Sequence, residues 1–257
     1  MKIDFEYGHG FMAGNFPDSN TDVFIPGVTY PDPPHIPFDK LVEETRKSIL
    51  NPIGMPPISE SVKKGDKVTI VFPDRVKGGF QPTSHRKTAI PIIIEELLKA
   101  GVEKKDIKLI CSNGLHRKNT EEEIKSILGP EIYNEFWFTK QIVNHDSEDY
   151  ENLVDLGYNR MGDRVIMNKD VYDSDFSVLI GHTLGNPYGG YSGGYKHCAT
   201  GITHWRSIGE HHNPHVMHGD DFTPVSSHSL MRSKFDHIGM HMEECMGKKF
   251  FVCDAVL

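Results

Sequence analysis

Short apolar runs alternate with helix-patterned segments along most of this chain, and that alternation restricts its fold more than any other feature. Lys67–Phe72 (KVTIVF), Ile107–Cys111, Phe138–Asn144, Arg164–Asn168, Phe176–Gly181 and Lys249–Val256 read as strands. Phe38–Leu50 carries Leu41, Val42, Thr45 and Ile49 on one helical face, and Asn51–Pro57 breaks it with three prolines. Arg86–Ala100 reads as a helix closed by Gly101, with Pro91 a point of kinking. Thr120-Glu-Glu-Glu123 is a capping box that opens a helix through Leu128, stopped by Gly129. A long helix is expected over Ser227–Met246, ended by Gly247. The pattern predicts an α/β fold: a layered, mostly parallel sheet with helices on both faces, built from residues 38–257. Residues 1–37, rich in Pro, Gly and Asp, read as an irregular N-terminal arm with weak strand potential at Lys2–Tyr7.

A chain of 257 residues is long enough for one such domain with a sizeable core. The net charge of −8 argues against a nucleic-acid partner, which selects for a basic surplus. The longest apolar run, around Ile92–Ile94, falls far short of the roughly 20 residues that cross a bilayer, so no membrane partner is expected. Asp4 and Glu6 stand where a signal peptide has its apolar core, and the expected compartment is the cytoplasm. Four scattered cysteines form no C-x-x-C pair. Of the 15 histidines, ten lie between His182 and His241, and a crowd of groups that titrate near neutrality and bind metals calls for a reason.

Ligands of α/β sheets collect at the carboxyl ends of the strands, and three segments here follow directly on strand candidates. Pro73-Asp74-Arg75-Val76-Lys77-Gly78-Gly79 offers a carboxylate acceptor, cations for an anion, and glycines for close approach; an ordinary charged turn has the same composition. Ser112–Arg117 places His116 beside Arg117, a base next to an anion clamp. Gly181–Lys196 is threaded with glycines and ends on Lys196, as a loop would whose amides wrap a phosphate. Neither G-x-x-x-x-G-K-[ST] nor G-x-G-x-x-G fits it. Downstream, Ile202, Trp205 and Ile208 recur at core-packing intervals. His204, His211 and His215 allow a zinc site on one helical face, whereas the adjacent His211 and His212 would point about 100° apart on a helix. Cys198 is a nucleophile by chemistry and a small core residue by habit, and the second reading is preferred.

Taken together and in order, these segments resemble the nickel-dependent lactate racemase family of 2-hydroxyacid racemases and epimerases. The likeness is carried by Pro73-Asp74 with Lys77, by Gly-Leu-His116-Arg117 followed by Thr120-Glu-Glu-Glu, by Asn144-His145-Asp146 and Asp155-Leu-Gly157, and by Tyr191-Ser-Gly-Gly-Tyr-Lys196 with Gly201 and His212 beyond it. It covers about residues 60–257 and corresponds to the family's N-terminal domain, with the C-terminal domain expected to be absent.

The resemblance implies an isomerase that inverts a small 2-hydroxy acid or sugar acid by proton-coupled hydride transfer. It implies nickel held in a pyridinium-3,5-bisthiocarboxylic acid mononucleotide (the nickel-pincer nucleotide), and partner proteins that build that cofactor. Lys196 matches the lysine that tethers the cofactor, His212 the nickel ligand, and His116 a catalytic base. Asp74, Lys77, Ser192, Gly193 and Gly194 are expected to bind the cofactor; Arg75, Arg117 and Asn186 fall on substrate-binding positions. Two departures stand out. The family's D-x-x-R is Asp74-Arg-Val-Lys77 here, and the second proton-transfer histidine, ten residues before the lysine, is Asn186. An amide is no general base, so His182, four residues earlier, is the expected substitute. The alternative is a non-catalytic nucleotide- or metal-binding protein that lacks the closing domain.

Overall fold

Two units divide the chain, Met1–Pro37 and Phe38–Leu257. The structure is a computed structural model and describes residues 1–25, 28–31, 34–77, 80, 82–218 and 228–256. In the first unit, β1 (Lys2–Tyr7) and β2 (Gly10–Asn15) form an antiparallel hairpin around Gly8-His9, with Lys2 opposite Asn15 and Tyr7 opposite Gly10. Gly8 takes φ 61°, a conformation glycine adopts freely in a tight turn.

The second unit runs α1 (Leu41–Leu50), α2 (Ile58–Ser61), β3 (Val68–Pro73), α3 (His85–Lys99), β4 (Ile107–Ser112), α4 (Glu121–Leu128), α5 (Pro130–Phe136) and β5 (Ile142–Asn144). It continues with β6 (Leu153–Tyr158), β7 (Arg164–Asn168), α6 (Lys169–Asp173), β8 (Phe176–Thr183), β9 (Gly185–Asn186), β10 (Gly190–Tyr191), α7 (Tyr195–Gly201), α8 (Trp205–Gly209), α9 (Pro214–Met217), α10 (Leu230–Met246) and β11 (Phe250–Val256). Five strands make one parallel sheet in the order β11-β8-β3-β4-β5. A strand covered on both sides reads as a continuous apolar run, and β3 is buried along its whole length. Its side chains alternate between two cores. Ile70 and Phe72 join Leu109, Val178 and Ile180 under α3, α4 and α5, while Val71 joins Ile110 and Leu179 under α7 and α10. The fold is therefore α/β, a parallel sheet with helices around it.

Local signals hold where they are strongest. The Thr120 hydroxyl accepts from Glu123 N–H at 3.3 Å and the Glu123 carboxylate accepts from Thr120 N–H at 2.9 Å, closing the capping box of α4. Gly247 ends α10 in the left-handed region, φ 67°. Pro91 lies inside α3 without ending it. Arg164–Asn168 is a strand, as expected, and pairs antiparallel with β6 rather than joining the five-stranded sheet. Two expectations are corrected. The strand expected over Phe138–Asn144 begins only at Ile142, because the chain turns at Lys140 (φ 60°) and leaves Phe138 exposed. The long helix starts at Leu230, capped by Ser229; Ser227 lies outside the described residues, as do Gly78 and Gly79. Among the described residues no helix is long and apolar enough to cross a membrane.

Candidate functional site

The order of the strands decides where a cavity opens. From β3 the chain moves outward through α3 to β4 and β5; from β8, the neighbour of β3 on its other side, it moves the opposite way through α7 and α10 to β11. The two crossovers cover opposite faces, so the loops leaving β3 and β8 diverge and leave a crevice at their carboxyl ends, the switch point where α/β proteins bind ligands. A cavity of about 380 Å³ opens there. It gathers Asp74 and Lys77 after β3, His116 after β4, His182 on β8, Lys196 on α7 and His212 after α8. Asn186, Ser192 and Gly193 also line it.

One side of the cavity is tightly bonded. His116 Nδ1 lies 2.5 Å from Oδ2 of the buried Asp74. A carboxylate facing an imidazole nitrogen at that distance fixes the proton on Nδ1 and leaves Nε2 to accept. The turn that carries Asp74 is held by Arg86, buried on α3, whose guanidinium donates to the carbonyls of Asp74 (3.4 Å) and Lys77 (3.0 Å). The backbones close in from the β4 side as well. Gly114 (φ 53°) passes so near α7 that a Cβ would stand 2.0 Å from the Thr200 carbonyl oxygen.

The other side holds groups with few partners. The Lys196 ammonium has no hydrogen bond or ion pair among the described residues and sits 5.9 Å from the centre of the Phe235 ring. Burial, then the charges of Lys77 and Arg232, lower its pKa to about 8. A lysine so depressed is in part a free amine near neutral pH, the nucleophilic form. His182 is buried, its Nδ1 has no partner, and burial with the charges of Arg86, Lys77 and Lys196 lowers it to about 4. It is therefore neutral at physiological pH. His212 Nδ1 meets His211 Nδ1 at 2.7 Å, the ring also meets the Ile208 carbonyl, and no side chain among the described residues bonds Nε2. Adjacent histidines were expected to point apart; beyond the end of α8 the helical rule no longer applies and the two rings touch.

Several expected site residues are placed elsewhere. Both Arg75 and Arg117 close on the Glu123 carboxylate, each at 2.6 Å, outside the cavity. Lys77 is left as the cation facing the cavity from that turn. Gly194 lies on the far side of the glycine loop, along a second cavity, where its N–H donates to Asp254 Oδ2 at 2.8 Å. The loop is not an open nest of amides either. The N–H groups of Leu184, Tyr188, Gly189, Tyr191, Ser192 and Gly194 all have acceptors within the chain. Asn186 Oδ1 accepts from Tyr188 N–H at 3.2 Å and Gly189 N–H at 2.7 Å, so it pins the turn between β9 and β10. The Ser192 hydroxyl is likewise taken up by the Leu184 backbone.

Sequence reasoning missed the residues that brace this loop. Asp254 on β11 holds Gly194 N–H and stands 2.5 Å from where a Cβ on Gly193 (φ 87°) would be. Arg232 on α10 stacks over Tyr191, 4.3 Å from the ring centre, and reaches the carbonyls of Tyr191 and Gly193. The zinc reading also falls away. His204 Nδ1 caps α8, His211 is sealed in the core, and His215 is exposed; among the described residues no three His, Cys, Asp or Glu side chains converge for a metal. Cys198 is fully buried in the core and its thiol pKa is raised by burial, an inert cysteine.

Comparison with known proteins agrees with this architecture. The profile of the lactate racemase N-terminal domain family matches residues 7–223. A lactate racemase of Lactiplantibacillus plantarum is 28% identical over 171 residues, 66% of this chain and 38% of its own. A lactate racemase of Thermoanaerobacterium thermosaccharolyticum is 25% identical over 225 residues, 85% of this chain and 50% of its own. The solved lactate racemase apoprotein of T. thermosaccharolyticum superposes on the whole chain with a TM-score of 0.75 at 20% identity, covering 56% of that structure. A Thermotoga maritima protein superposes on 86% of the chain with a TM-score of 0.60 at 18% identity, covering 51% of that protein. The chain thus spans about half the length, or less, of the relatives it matches. On the family profile, the chain belongs to the lactate racemase N-terminal domain family.

Proposed function

We propose that this chain carries the cofactor-holding half of a racemase or epimerase of a small 2-hydroxy acid or sugar acid, acting in the cytoplasm. The observation that supports it is the convergence of His116, Lys196 and His212 on one cavity at the switch point, with Lys77 as the cation beside them. The residues present suit a nickel-pincer nucleotide made by dedicated cofactor-building proteins. Lys196 supplies an unpaired amine of depressed pKa for a covalent tether, and His212 an imidazole nitrogen that no side chain among the described residues bonds. When bound, such a group supplies an acceptor for the two electrons and hydrogen leaving C2.

The chain's own residues would do the rest. His116 takes the proton from the C2 hydroxyl on Nε2 while Asp74 holds Nδ1–H and stabilises the ring as it becomes charged. Lys77 meets a carboxylate of the substrate or a phosphate. Arg86 keeps the Asp74–Lys77 turn in place. His182 faces the cavity as the second proton-transfer group in place of Asn186, whose amide oxygen is committed to the turn. That commitment also favours a second reading, a cofactor-binding protein without turnover.

The experiment is production with the cofactor-building proteins, followed by intact mass, nickel content and chiral chromatography of a panel of 2-hydroxy acids. An adduct on Lys196, nickel near one per chain and inversion of one acid are expected, all lost in Lys196→Ala. An adduct without inversion selects the second reading, and inversion retained by Lys196→Ala overturns the proposal.

A further inference from the structure

We infer that His211 is a positioning residue that fixes which nitrogen of His212 faces the cavity with a free lone pair. The relay starts at a backbone carbonyl. Ala199 lies in the last turn of α7, where carbonyls lack helical partners, and its oxygen receives the Thr203 hydroxyl at 2.7 Å and His211 Nε2 at 3.2 Å. A carbonyl only accepts, so His211 bears its proton on Nε2 and presents Nδ1 as an acceptor. The proton in the 2.7 Å contact between the two Nδ1 atoms then belongs to His212. With Nδ1 protonated, His212 keeps its lone pair on Nε2, to which no side chain among the described residues bonds.

Little in the surroundings allows the relay to run the other way. His211 is fully buried and its ring stands edge-on to Phe235, 4.9 Å between centres at 82°. A flip of that ring would bring a C–H to the Ala199 carbonyl or to His212. Histidines that bind metals usually anchor their second nitrogen on a carboxylate, carbonyl or water, which fixes tautomer and orientation. Here a neutral imidazole tied to a carbonyl fills that place. The inference rests on the proposed function only for what Nε2 would bind; the relay itself does not depend on it.

Long-range ¹H–¹⁵N correlation spectra of the metal-free chain test the relay directly, with the His212 ring assigned through its loss in His212→Gln. His211 is expected as the Nε2–H tautomer and His212 as the Nδ1–H tautomer. His211→Phe keeps a ring against Phe235 and removes the acceptor, so His212 should lose its single tautomer. His211→Gln offers an amide donor to Ala199 and an amide oxygen to His212, and should restore it. In protein loaded with nickel-pincer nucleotide, release of nickel into a chelator should reveal affinity weakened about 10–100-fold in His211→Phe and recovered in His211→Gln. A wild-type His212 protonated on Nε2, or a His212 signal unchanged in His211→Phe, overturns the inference, and the wild-type spectrum decides even if that variant does not fold. The expected tautomers in a chain that takes up no nickel would uphold the relay and sink the proposed function instead.

Discussion

The two walls of the cavity are built on opposite principles. On the β3–β4 wall the imidazole is bonded, His116 on Asp74 and the Asp74 turn on Arg86, and just outside the cavity Arg75 and Arg117 close on Glu123; among the described residues, Lys77 and the buried Asn113 Oδ1 are the groups left over on this side. The β8–α8 wall carries Lys196, His182 and His212, of which the Lys196 amine and His182 Nδ1 have no hydrogen-bond partner among the described residues. Buried polar groups are normally satisfied, and one left over, here His182 Nδ1, marks a place where something else is bound or done. The bonded wall holds a proton acceptor in one tautomer. The open wall has the composition of a surface that a guest completes. Its order comes from behind, through Arg232, Asp254 and His211, rather than from contacts among the reactive groups.

That contrast breaks most visibly at Asp74. Asp74→Asn keeps the shape and removes the charge that holds His116 in the Nδ1–H form. An amide in that place can also present N–H to Nδ1 and select the wrong tautomer. In protein shown to be loaded and active, kcat should fall about 10²–10⁴-fold while nickel content and cofactor adduct stay at wild-type level. A kcat within a few-fold of wild type would remove His116 from the role of base. A parallel loss of nickel would mean that the two walls are not separable.

The bonded wall was also the more legible one in the sequence. Asp74, Lys77 and His116 follow strands whose apolar runs announce themselves, and the capping box at Thr120 is a local signal with local geometry. The open wall is legible in its reactive groups but not in what supports them. Asp254 braces a glycine 60 residues earlier and Arg232 a carbonyl 39 residues earlier, contacts made by the sheet order rather than by any spacing. The strand that was not expected, β6, escaped for a related reason. In β6 most residues are only half-buried and a bulge interrupts the pairing between Asp155 and Tyr158, so no clean alternation marks it. Arg75 and Arg117 were assigned by position beside an anion-binding turn; a carboxylate already committed to a helix cap captures both.

A smaller effect concerns the imidazoles kept neutral inside the domain. Burial, with Arg86 and His182 adding to it, lowers His85 to about 4, and His182 is lowered to about 4 as well. Both lie below the ordinary value near 6.5 that the unfolded chain would show. Between pH 6.5 and 4 the folded state therefore binds fewer protons than the unfolded chain, so this stability is complete above pH 6.5 and withdrawn as pH drops toward 4. For His85 alone the loss is on the order of 3 kcal/mol across that window. Denaturant midpoints measured from pH 7 to pH 4 should fall steadily, and His85→Gln should flatten the slope. A midpoint constant over that range would mean that these rings find protons or water in the folded state.

The smallest effect is expected at Arg117, where the comparison can be sharpened rather than broken. Arg117 lies exposed beside the bonded wall, outside the cavity, and shares Glu123 with Arg75, while Glu123 also closes the α4 cap on Thr120 N–H. Removing one of two cations from a solvent-exposed pair changes little, because salt and water screen the charge and the second cation stays. Arg117→Ala should leave KM and kcat within about twofold of wild type. If instead KM rose tenfold or more at constant kcat, Arg117 would leave Glu123 when substrate arrives. The carboxylate of α4 would then be a resting place for a substrate clamp, and the bonded wall would owe part of its order to the absence of substrate.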